Sequence, residues 1–281
     1  MVEHNPARTF FRHIVLILGV IIIMYPIYVA FVASTHELAA ITSVPMPTRP
    51  GFHFLKNYWR AFYEGSKNLG TNVAVMMKNS FIMAVCIASG KILISLLAAF
   101  AIVFFRFPGR NFCFWSLFIT LMLPVEVRIM PTYKVISDLG MLNSYVGLVL
   151  PMMVSATAVF LFRQFFLTIP RELVEAAQMD GARPMYFFYK ILVPMTRTSI
   201  AAMFVIQFLF GWNQYLWPLL ITTEEKFYTL LIGINRMLSV GDQQAEWHII
   251  MATTLMAMLP PVLVVIGMQK QFVKGMTETE K

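Results

Sequence analysis

Long apolar stretches, separated by shorter polar segments, set the pattern of this chain. Six of them are long enough to cross a bilayer, at about residues 14–34, 79–104, 112–131, 145–166, 199–221 and 248–269. A bilayer core about 30 Å thick needs roughly 20 apolar residues in helical conformation. Because lipid offers the backbone no hydrogen-bond partners, each stretch is expected to be a helix. The pattern therefore predicts an all-α polytopic membrane protein with six transmembrane helices.

Two of the six stretches depart from a simple span. The first, 14–34, follows basic residues as a secretory signal would, but its apolar run exceeds the roughly 7–15 residues of a signal peptide. We therefore interpret it as an uncleaved helix. The third, 112–131, contains Pro124, Glu126 and Arg128. It still counts as a span, since polar breaks are tolerated where they face protein or a cavity.

Composition agrees with a membrane protein. Of the 281 residues, 58% are hydrophobic and 13% are charged, about half the charged fraction of roughly 25% that soluble domains carry. The net charge of +8 could suggest a nucleic-acid partner, but Lys and Arg also hold loops on the cytoplasmic side of a membrane. We expect the lipid bilayer to be the partner and no nucleic acid to bind.

The distribution of Lys and Arg predicts that both termini are cytoplasmic. In this orientation the cytoplasmic segments carry twelve basic residues, whereas the two short loops on the opposite side carry three, Lys134, Lys226 and Arg236. Five more lie in the 35–78 loop, which weighs less because long loops translocate largely regardless of charge. The prediction is an N-in, C-in topology for a single transmembrane domain over residues 1–281.

Two extracytoplasmic regions follow from this topology. The 35–78 loop mixes Pro, Gly and aromatic residues and is expected to fold as a periplasmic cap with a short helix around 55–65. Acidic residues before the sixth span are expected to form a solvated face that can touch a binding protein. They are Glu224, Glu225, Asp242 and Glu246.

The most polar helical pattern of the chain lies between the fourth and fifth spans, in RELVEAAQMDGARPMYFFYKILVP, residues 171–194. Pro170 suits a helix start, where its missing amide donor costs nothing. Asp180-Gly181 predicts the helix end, with Gly as the left-handed terminal residue, and Pro184 can open a second helix. The residues alone leave two interpretations open, a helix lying on lipid headgroups and a docking helix for a cytoplasmic partner.

This segment resembles the EAA motif of ABC-importer permeases, which runs E-A-A, D-G-A and an I-x-L-P-like ending. The matching positions are Glu175, Ala176, Ala177, Asp180, Gly181, Ala182 and Pro194, with Val193 in place of the usual Leu and Thr198 where many relatives have a second Pro. Stretches 123–151 and 211–221 resemble the carbohydrate-uptake, maltose-type branch of the family. Within that branch, TLMLPVEVRI and SGKI resemble the subgroup that imports sn-glycerol-3-phosphate.

The resemblance implies a type I ABC-importer permease fold in the bacterial inner membrane, with residues 168–197 as the segment that couples to the ATPase. It implies that Glu175 is a charged contact to the ATPase and that Gly181 makes the tight turn. The partners it implies are a second, homologous permease subunit in a heterodimer, two ATPase subunits and a periplasmic substrate-binding protein. The chain itself is then a non-catalytic transport subunit without cofactors, and ATP and Mg are bound by the partner ATPase.

The sequence motifs agree with a non-catalytic role. There is no G-x-x-x-x-G-K-[ST] phosphate loop, since SGKI at 89–92 lacks the upstream glycine, so ATP hydrolysis is assigned to another polypeptide. The five histidines are scattered, and we predict no metal site. Two competing classes fit the sequence less well. An intramembrane enzyme would need clustered catalytic residues, which the sequence does not offer. A secondary transporter would have inverted repeats with paired broken helices, and the sequence contains no clear repeat.

Polar residues from three predicted helices lie at a similar depth. Counted at 1.5 Å per residue from the cytoplasmic basic residues, they lie roughly 22–27 Å into the membrane. These candidate substrate-pathway residues are Lys91, Glu126, Arg128, Asn213 and Gln214.

Two interpretations of this polar layer remain open. In a structural one, Lys91 or Arg128 pairs with Glu126, and Asn213 and Gln214 bond across helices. In a functional one, two cations and one carboxylate leave a net positive site for an anion such as a phosphate ester, which suits an Arg fork. A neutral sugar would not require such a site, so the layer favours a phosphorylated substrate, with import of a neutral oligosaccharide as the alternative.

Overall fold

The computed structural model describes residues 6–67, 69–120, 124–239 and 245–277, with side chains for the same residues except 6–8, 125–126 and 271–277. Within these ranges the chain is helical and contains no strand, so the all-α prediction is confirmed. The helices of the first half are α1 Pro6–Ser34, α2 Leu38–Ile41, α3 Phe54–Trp59, α4 Val73–Phe104, α5 Arg110–Thr120, α6 Val125–Asp138 and α7 Tyr145–Val149. Those of the second half are α8 Ala156–Leu167, α9 Arg171–Met179, α10 Pro184–Phe187, α11 Val193–Met195, α12 Arg197–Trp212, α13 Leu216–Ile221, α14 Leu230–Leu238 and α15 Trp247–Thr277.

Short π and 3₁₀ segments extend several of these helices. Arg60–Glu64 continues α3 as a π-helix, and Phe188–Leu192 joins α10 to α11 in the same way. Leu150–Met152 and Glu225–Phe227 are 3₁₀ turns. The helix expected inside the 35–78 loop is therefore present as α3 with its π extension.

Three single helices are long and apolar enough to cross a membrane, over Thr9–Ser34, Val73–Phe104 and Trp247–Lys270. Two further candidates are bent pairs. Tyr145–Met152 and Ala156–Leu167 meet at 48°, and Pro184–Met195 and Arg197–Trp212 meet at 75°. The part of the chain that the structure describes thus holds three to five candidate spans.

Two of the predicted spans are divided in the structure. In the 112–131 stretch, α6 begins at Val125 after Pro124, whose ψ of 143° is not helical, and residues 121–123 before it lie outside the described residues. The 199–221 stretch is split between α12 and α13, with Asn213 capping the end of α12. The count of six spans stays a prediction.

The chain forms two compact units. The first comprises the described residues of Met1–Val75 and Gly233–Leu259. In it, the Asn57 side chain, 3% exposed, donates to the carbonyl oxygens of Ser34 and His36 at 2.9 and 2.8 Å. These bonds hold α3 against the end of α1.

The second unit comprises the described residues of Met76–Ile232 and Pro260–Lys281, and α4 runs through its core. One part of α4 packs Met83 and Ile87 into a cluster with Trp217 and Ile221. The other part of α4 contributes to a second cluster, together with α8, α9 and α10, through Ile92, Leu96, Phe100, Phe162, Phe166, Ala177, Phe187, Phe188 and Leu192. Residue 91 of α4 lies in the sequence between these two apolar clusters.

Candidate functional site

The helix predicted after Pro170 is present as α9, with Pro170 as its N-cap. It closes on a tight turn, because the amides of Gly181 and Ala182 donate to the carbonyls of Gln178 and Ala177 at 3.0 and 2.9 Å. Gly181 has φ +71°, a conformation that glycine adopts at no steric cost. The left-handed helix end predicted at Gly181 is confirmed.

The two faces of α9 differ in exposure. Ala177 is buried at 6% exposure and packs with Val174 in the cluster that includes α4. Glu175, Ala176 and Asp180 are exposed. The two alanines of the motif therefore lie in different surroundings, because Val174 and Ala177 form the inward face of this short helix.

The exposed acids of this segment are free of ion pairs within the described part of the chain. Neither Glu175 nor Asp180 lies within ion-pair distance of a described basic side chain. Pro194, the last matching position of the motif, is exposed in α11. The segment therefore presents exposed carboxylates, those of Glu175 and Asp180 among them, and a glycine turn at its surface.

The second helix opened by Pro184 is present, and aromatic contacts fasten it to α4. The rings of Phe187 and Phe104 lie 5.5 Å apart, and those of Phe188 and Phe100 lie 5.0 Å apart, between centroids. Close-packed interiors transmit strain, so these ring contacts give the segment a direct mechanical connection to α4.

A buried cation lies further along α4. The Lys91 side chain is 5% exposed, and its ammonium donates to Gln207 Oε1 at 3.1 Å. The same nitrogen lies 3.4 Å from the centroid of the Phe210 ring, a cation–π contact. Gln207 and Phe210 are three residues apart on α12 and therefore share a face.

Lys91 lines a cavity of about 100 Å³. Arg128 of α6 lines the same cavity, so the structure brings together two of the five polar residues placed at one depth by the sequence. The remaining lining residues are Ile129, Thr132, Pro151, Met152, Val154, Phe210 and Trp217.

Charge around this cavity is positive as far as the side chains are described. Neither Lys91 nor Arg128 has a carboxylate within ion-pair distance among those side chains. The Glu126 side chain, the predicted acid of the layer, lies outside the described residues. Two cations at one cavity repel each other, and an anion placed between them would be stabilised by both.

Asn213 and Gln214 do not line this cavity. Gln214 donates to the carbonyl oxygen of Phe210 at 3.1 Å, which satisfies it within its own turn rather than across helices. Asn213 is exposed at the end of α12. Sequence reasoning missed Gln207, although a glutamine in the middle of an apolar helix is itself a signal of an interhelical partner.

A second polar cluster lies in the first unit, around Glu246. Its carboxylate accepts from Arg60 Nη2 at 2.6 Å, from Ser66 Oγ at 3.0 Å and from the Lys67 amide at 3.3 Å. Although burial by itself raises the pKa of Glu246, the hydrogen bonds from Arg60, Lys67 and Ser66 and the charge of Arg60 bring it below its ordinary value. The expectation of a solvated face at Glu246 is wrong, since the side chain is only 14% exposed.

The other three acidic residues predicted to form a solvated face differ in what the structure shows of them. Glu224 and Glu225 are exposed, and Glu224 pairs with Lys226 at 2.6 Å. Asp242 lies outside the described residues.

Comparison with known proteins gives one family and several full-length relatives. The family described as binding-protein-dependent transport system inner membrane component matches residues 91–278. The sn-glycerol-3-phosphate transport system permease protein UgpE of Brucella melitensis biotype 1 is 54% identical over 282 residues, and its counterpart in Escherichia coli (strain K12) is 53% identical over 284 residues. Both alignments cover 100% of this chain and 100% of the relative.

A solved structure shares the fold. A chain from the crystal structure of a bacterial ABC transporter involved in the import of the acidic polysaccharide alginate matches with a TM-score of 0.82. The alignment covers 97% of this chain and 99% of that chain at 19% sequence identity, a level that speaks for the fold alone.

Proposed function

The chain belongs to the family of binding-protein-dependent transport system inner membrane components, and from this premise we propose that its substrate is sn-glycerol-3-phosphate. As a family member it is an inner membrane permease component of an ABC importer, a transport subunit rather than a catalyst. The observation that supports the substrate is the pair of cations, Lys91 and Arg128, at one cavity. Arg and Lys bind phosphate oxygens through charge-assisted hydrogen bonds.

The proposed topology has six transmembrane helices with both termini in the cytoplasm. In it α5 and α6 together complete the third span, and Arg128 in the first part of α6 lines the cavity. Residues 35–78 form the periplasmic cap and residues 168–197 face the cytoplasm. A second, homologous permease subunit completes the channel as a heterodimer, and a periplasmic binding protein delivers the ligand.

The 168–197 segment is proposed to dock into a cleft of an ATPase subunit, one of the two partner ATPase subunits that bind ATP and Mg. Exposed Glu175 and Asp180 supply the charged contacts, Ala176 allows close approach, and Gly181 makes the turn between the two helices. The motif positions that anchor the segment are Ala177, in the core, and Pro194, in α11. ATP-driven closure of the ATPases then moves this segment and, through Phe187 and Phe188, helix α4.

The substrate pathway is proposed to run past the polar layer. Lys91 and Arg128 bind the phosphate group of the substrate. The carboxylate of Glu126 limits the net positive charge of the layer. Asn213 and Gln214, at the break between α12 and α13, lie outside this cavity and are proposed to line the pathway beyond it. The likeness to the alginate transporter, at 19% sequence identity, says nothing about the substrate. The proposal therefore rests on the relatives and on this charge pattern.

Uptake by cells that lack only this chain tests the proposal. We expect a plasmid copy to restore uptake of labelled sn-glycerol-3-phosphate, and we expect a plasmid carrying Gly181→Val, a β-branched residue at a left-handed position, to restore much less. Labelled maltose in parallel cultures separates the alternatives. Restored maltose uptake without phosphate-ester uptake would replace the proposed substrate by a neutral sugar.

A further inference from the structure

The partners of Lys91 are unusual for a cation inside a membrane span. Such a charge is costly and is ordinarily paired. Here the ammonium contacts an amide oxygen, Gln207 Oε1, at 3.1 Å and the face of the Phe210 ring at 3.4 Å from its centroid. Both partners attract a cation through a dipole or quadrupole, but neither carries a charge that would neutralise it.

This arrangement is built into the packing of two helices. Gln207 is 6% exposed, and it shares one face of α12 with Phe210. A Cβ atom added at Gly211 would lie 2.9 Å from the Cα of Ala84, so only glycine permits the close approach of α12 to α4 at this level. The close approach sets the two anchors beside Lys91.

The cavity beside Lys91 is sized for part of a ligand. Its volume of about 100 Å³ is well below the roughly 300–1,000 Å³ of ordinary small-molecule pockets. Arg128 reaches the same cavity from α6. Two cations and a small space suit one anionic group, with the rest of the ligand outside this cavity.

We propose that Gln207 and Phe210 are positioning residues that hold Lys91 at the cavity wall without neutralising it, so that Lys91 and Arg128 together receive a phosphate group. The proposal rests on the proposed function, because it names the part of the ligand that this site takes. A neutral solute cannot compensate the two charges, whereas a phosphate monoester accepts hydrogen bonds from both. Gln207, which does not line the cavity, thus contributes to selectivity only through Lys91, whereas the Phe210 ring holds Lys91 from the cavity wall itself.

The decisive substitution is Gln207→Glu. It replaces an amide by a carboxylate of nearly the same shape, which would form an ion pair with Lys91 and compete with the phosphate. If Gln207 served only to join two helices, this change would preserve or improve its contact. The two roles therefore predict opposite results for transport and similar results for stability.

The experiment uses the complete importer in proteoliposomes, with saturating liganded binding protein and labelled sn-glycerol-3-phosphate. We expect Gln207→Glu to assemble with an unchanged or higher melting temperature and to lower the initial uptake rate by about tenfold or more, as expected for an added charged hydrogen bond that must be broken. Gln207→Met, which removes the anchor but adds no charge, is the matched control and should retain more uptake than Gln207→Glu. Uptake by Gln207→Glu at the wild-type rate would overturn the proposal.

Phe210 provides an independent test should Gln207→Glu fail to assemble. Phe210→Tyr keeps the ring face and should transport at close to the wild-type rate, whereas Phe210→Leu keeps an apolar side chain and should lose about threefold or more. Equal rates for Phe210→Leu and wild type would overturn the role of the ring. If the wild-type importer carries labelled maltose and not the phosphate ester, the proposed function fails before any variant is compared, and this inference falls with it.

Discussion

The ring of Phe188, in the segment that carries the EAA motif, lies 5.0 Å from the ring of Phe100 in α4, centroid to centroid. Phe188 is 1% exposed and Phe100 is 4% exposed. Nine residues before Phe100, the same helix carries Lys91. This contact therefore gives one continuous path from the proposed ATPase-docking surface to the proposed substrate site.

Weakening the contact between Phe188 and Phe100 should uncouple the proposed ATPase-docking surface from the proposed substrate site. Phe188→Leu keeps an apolar side chain but loses the aromatic pairing, which is worth about 0.5–1.5 kcal/mol beyond area burial. We expect the reconstituted importer to take up fewer molecules of substrate per ATP hydrolysed. Phe112→Leu, at a 76% exposed ring outside the 168–197 segment, makes the same change away from the core and should leave the ratio unchanged. An unchanged ratio in Phe188→Leu as well would argue against this path.

Substitutions at Gly181 should affect ATPase binding through the backbone conformation of the turn alone. No atom lies within 4 Å of a Cβ built on Gly181, so a substitution there meets strain and not collision. Asn tolerates the left-handed region, whereas a β-branched residue is an outlier in it. Gly181→Asn should keep most ATPase binding, and Gly181→Val should weaken it by roughly 1–2 kcal/mol.

Copurification of the ATPase with the membrane complex measures this difference. Both variants leave the residues of the α9 surface unchanged, so they isolate the turn. Equal recovery of ATPase with Gly181→Asn and Gly181→Val would mean that the turn geometry does not matter for docking.

Local and tertiary features of this chain were predictable to different degrees. The start of α9 after Pro170 and the left-handed Gly181 follow from chemistry within a few residues, and both were predicted. Arg60 pairs with Glu246 across 186 positions, which no local pattern reveals, and Glu246 was wrongly predicted to be solvated. Likewise the depth of Lys91 follows from helical rise, but its partner Gln207 depends on how α12 is rotated against α4.

The close approach of α12 to α4 should depend on Gly211. A methyl group there would meet the backbone of Ala84 at 2.9 Å, so Gly211→Ala forces the helices apart and should cost about 1–3 kcal/mol of stability, as overpacking does. Gly267→Ala is the matched control, since a Cβ at Gly267 meets nothing within 4 Å. Thermal unfolding of the detergent-solubilised complex should show a lower midpoint for Gly211→Ala only. Equal midpoints for the two variants would contradict the close contact.

Glu246 should make the first compact unit sensitive to acid. Its pKa is below the ordinary value in the folded protein, so its contribution to stability is fully present above the unfolded pKa, about 4.3 for Glu, and is lost as the pH falls through the folded pKa. Glu246→Gln should lower stability at neutral pH by about 1–3 kcal/mol, because it leaves the mostly buried Arg60 without its charged partner.

The pH dependence of stability separates the loss of the Glu246 charge from a destabilisation that does not depend on charge. The difference in melting temperature between wild type and Glu246→Gln should shrink as the pH is lowered through the acidic range. Glu224→Gln, in an exposed ion pair with Lys226, is expected to change little at any pH. A constant difference for Glu246→Gln across the range would show that charge is not the cause.

Two cations at one cavity are proposed to select a phosphorylated substrate, and substitutions of Arg128 test this selectivity. The measurement is the initial rate of labelled sn-glycerol-3-phosphate uptake by the reconstituted importer carrying Arg128→Lys or Arg128→Gln. We expect partial uptake with Arg128→Lys, which keeps the charge but loses the bidentate fork, and a loss of about tenfold or more with Arg128→Gln. Wild-type uptake by an assembled Arg128→Gln importer would contradict it.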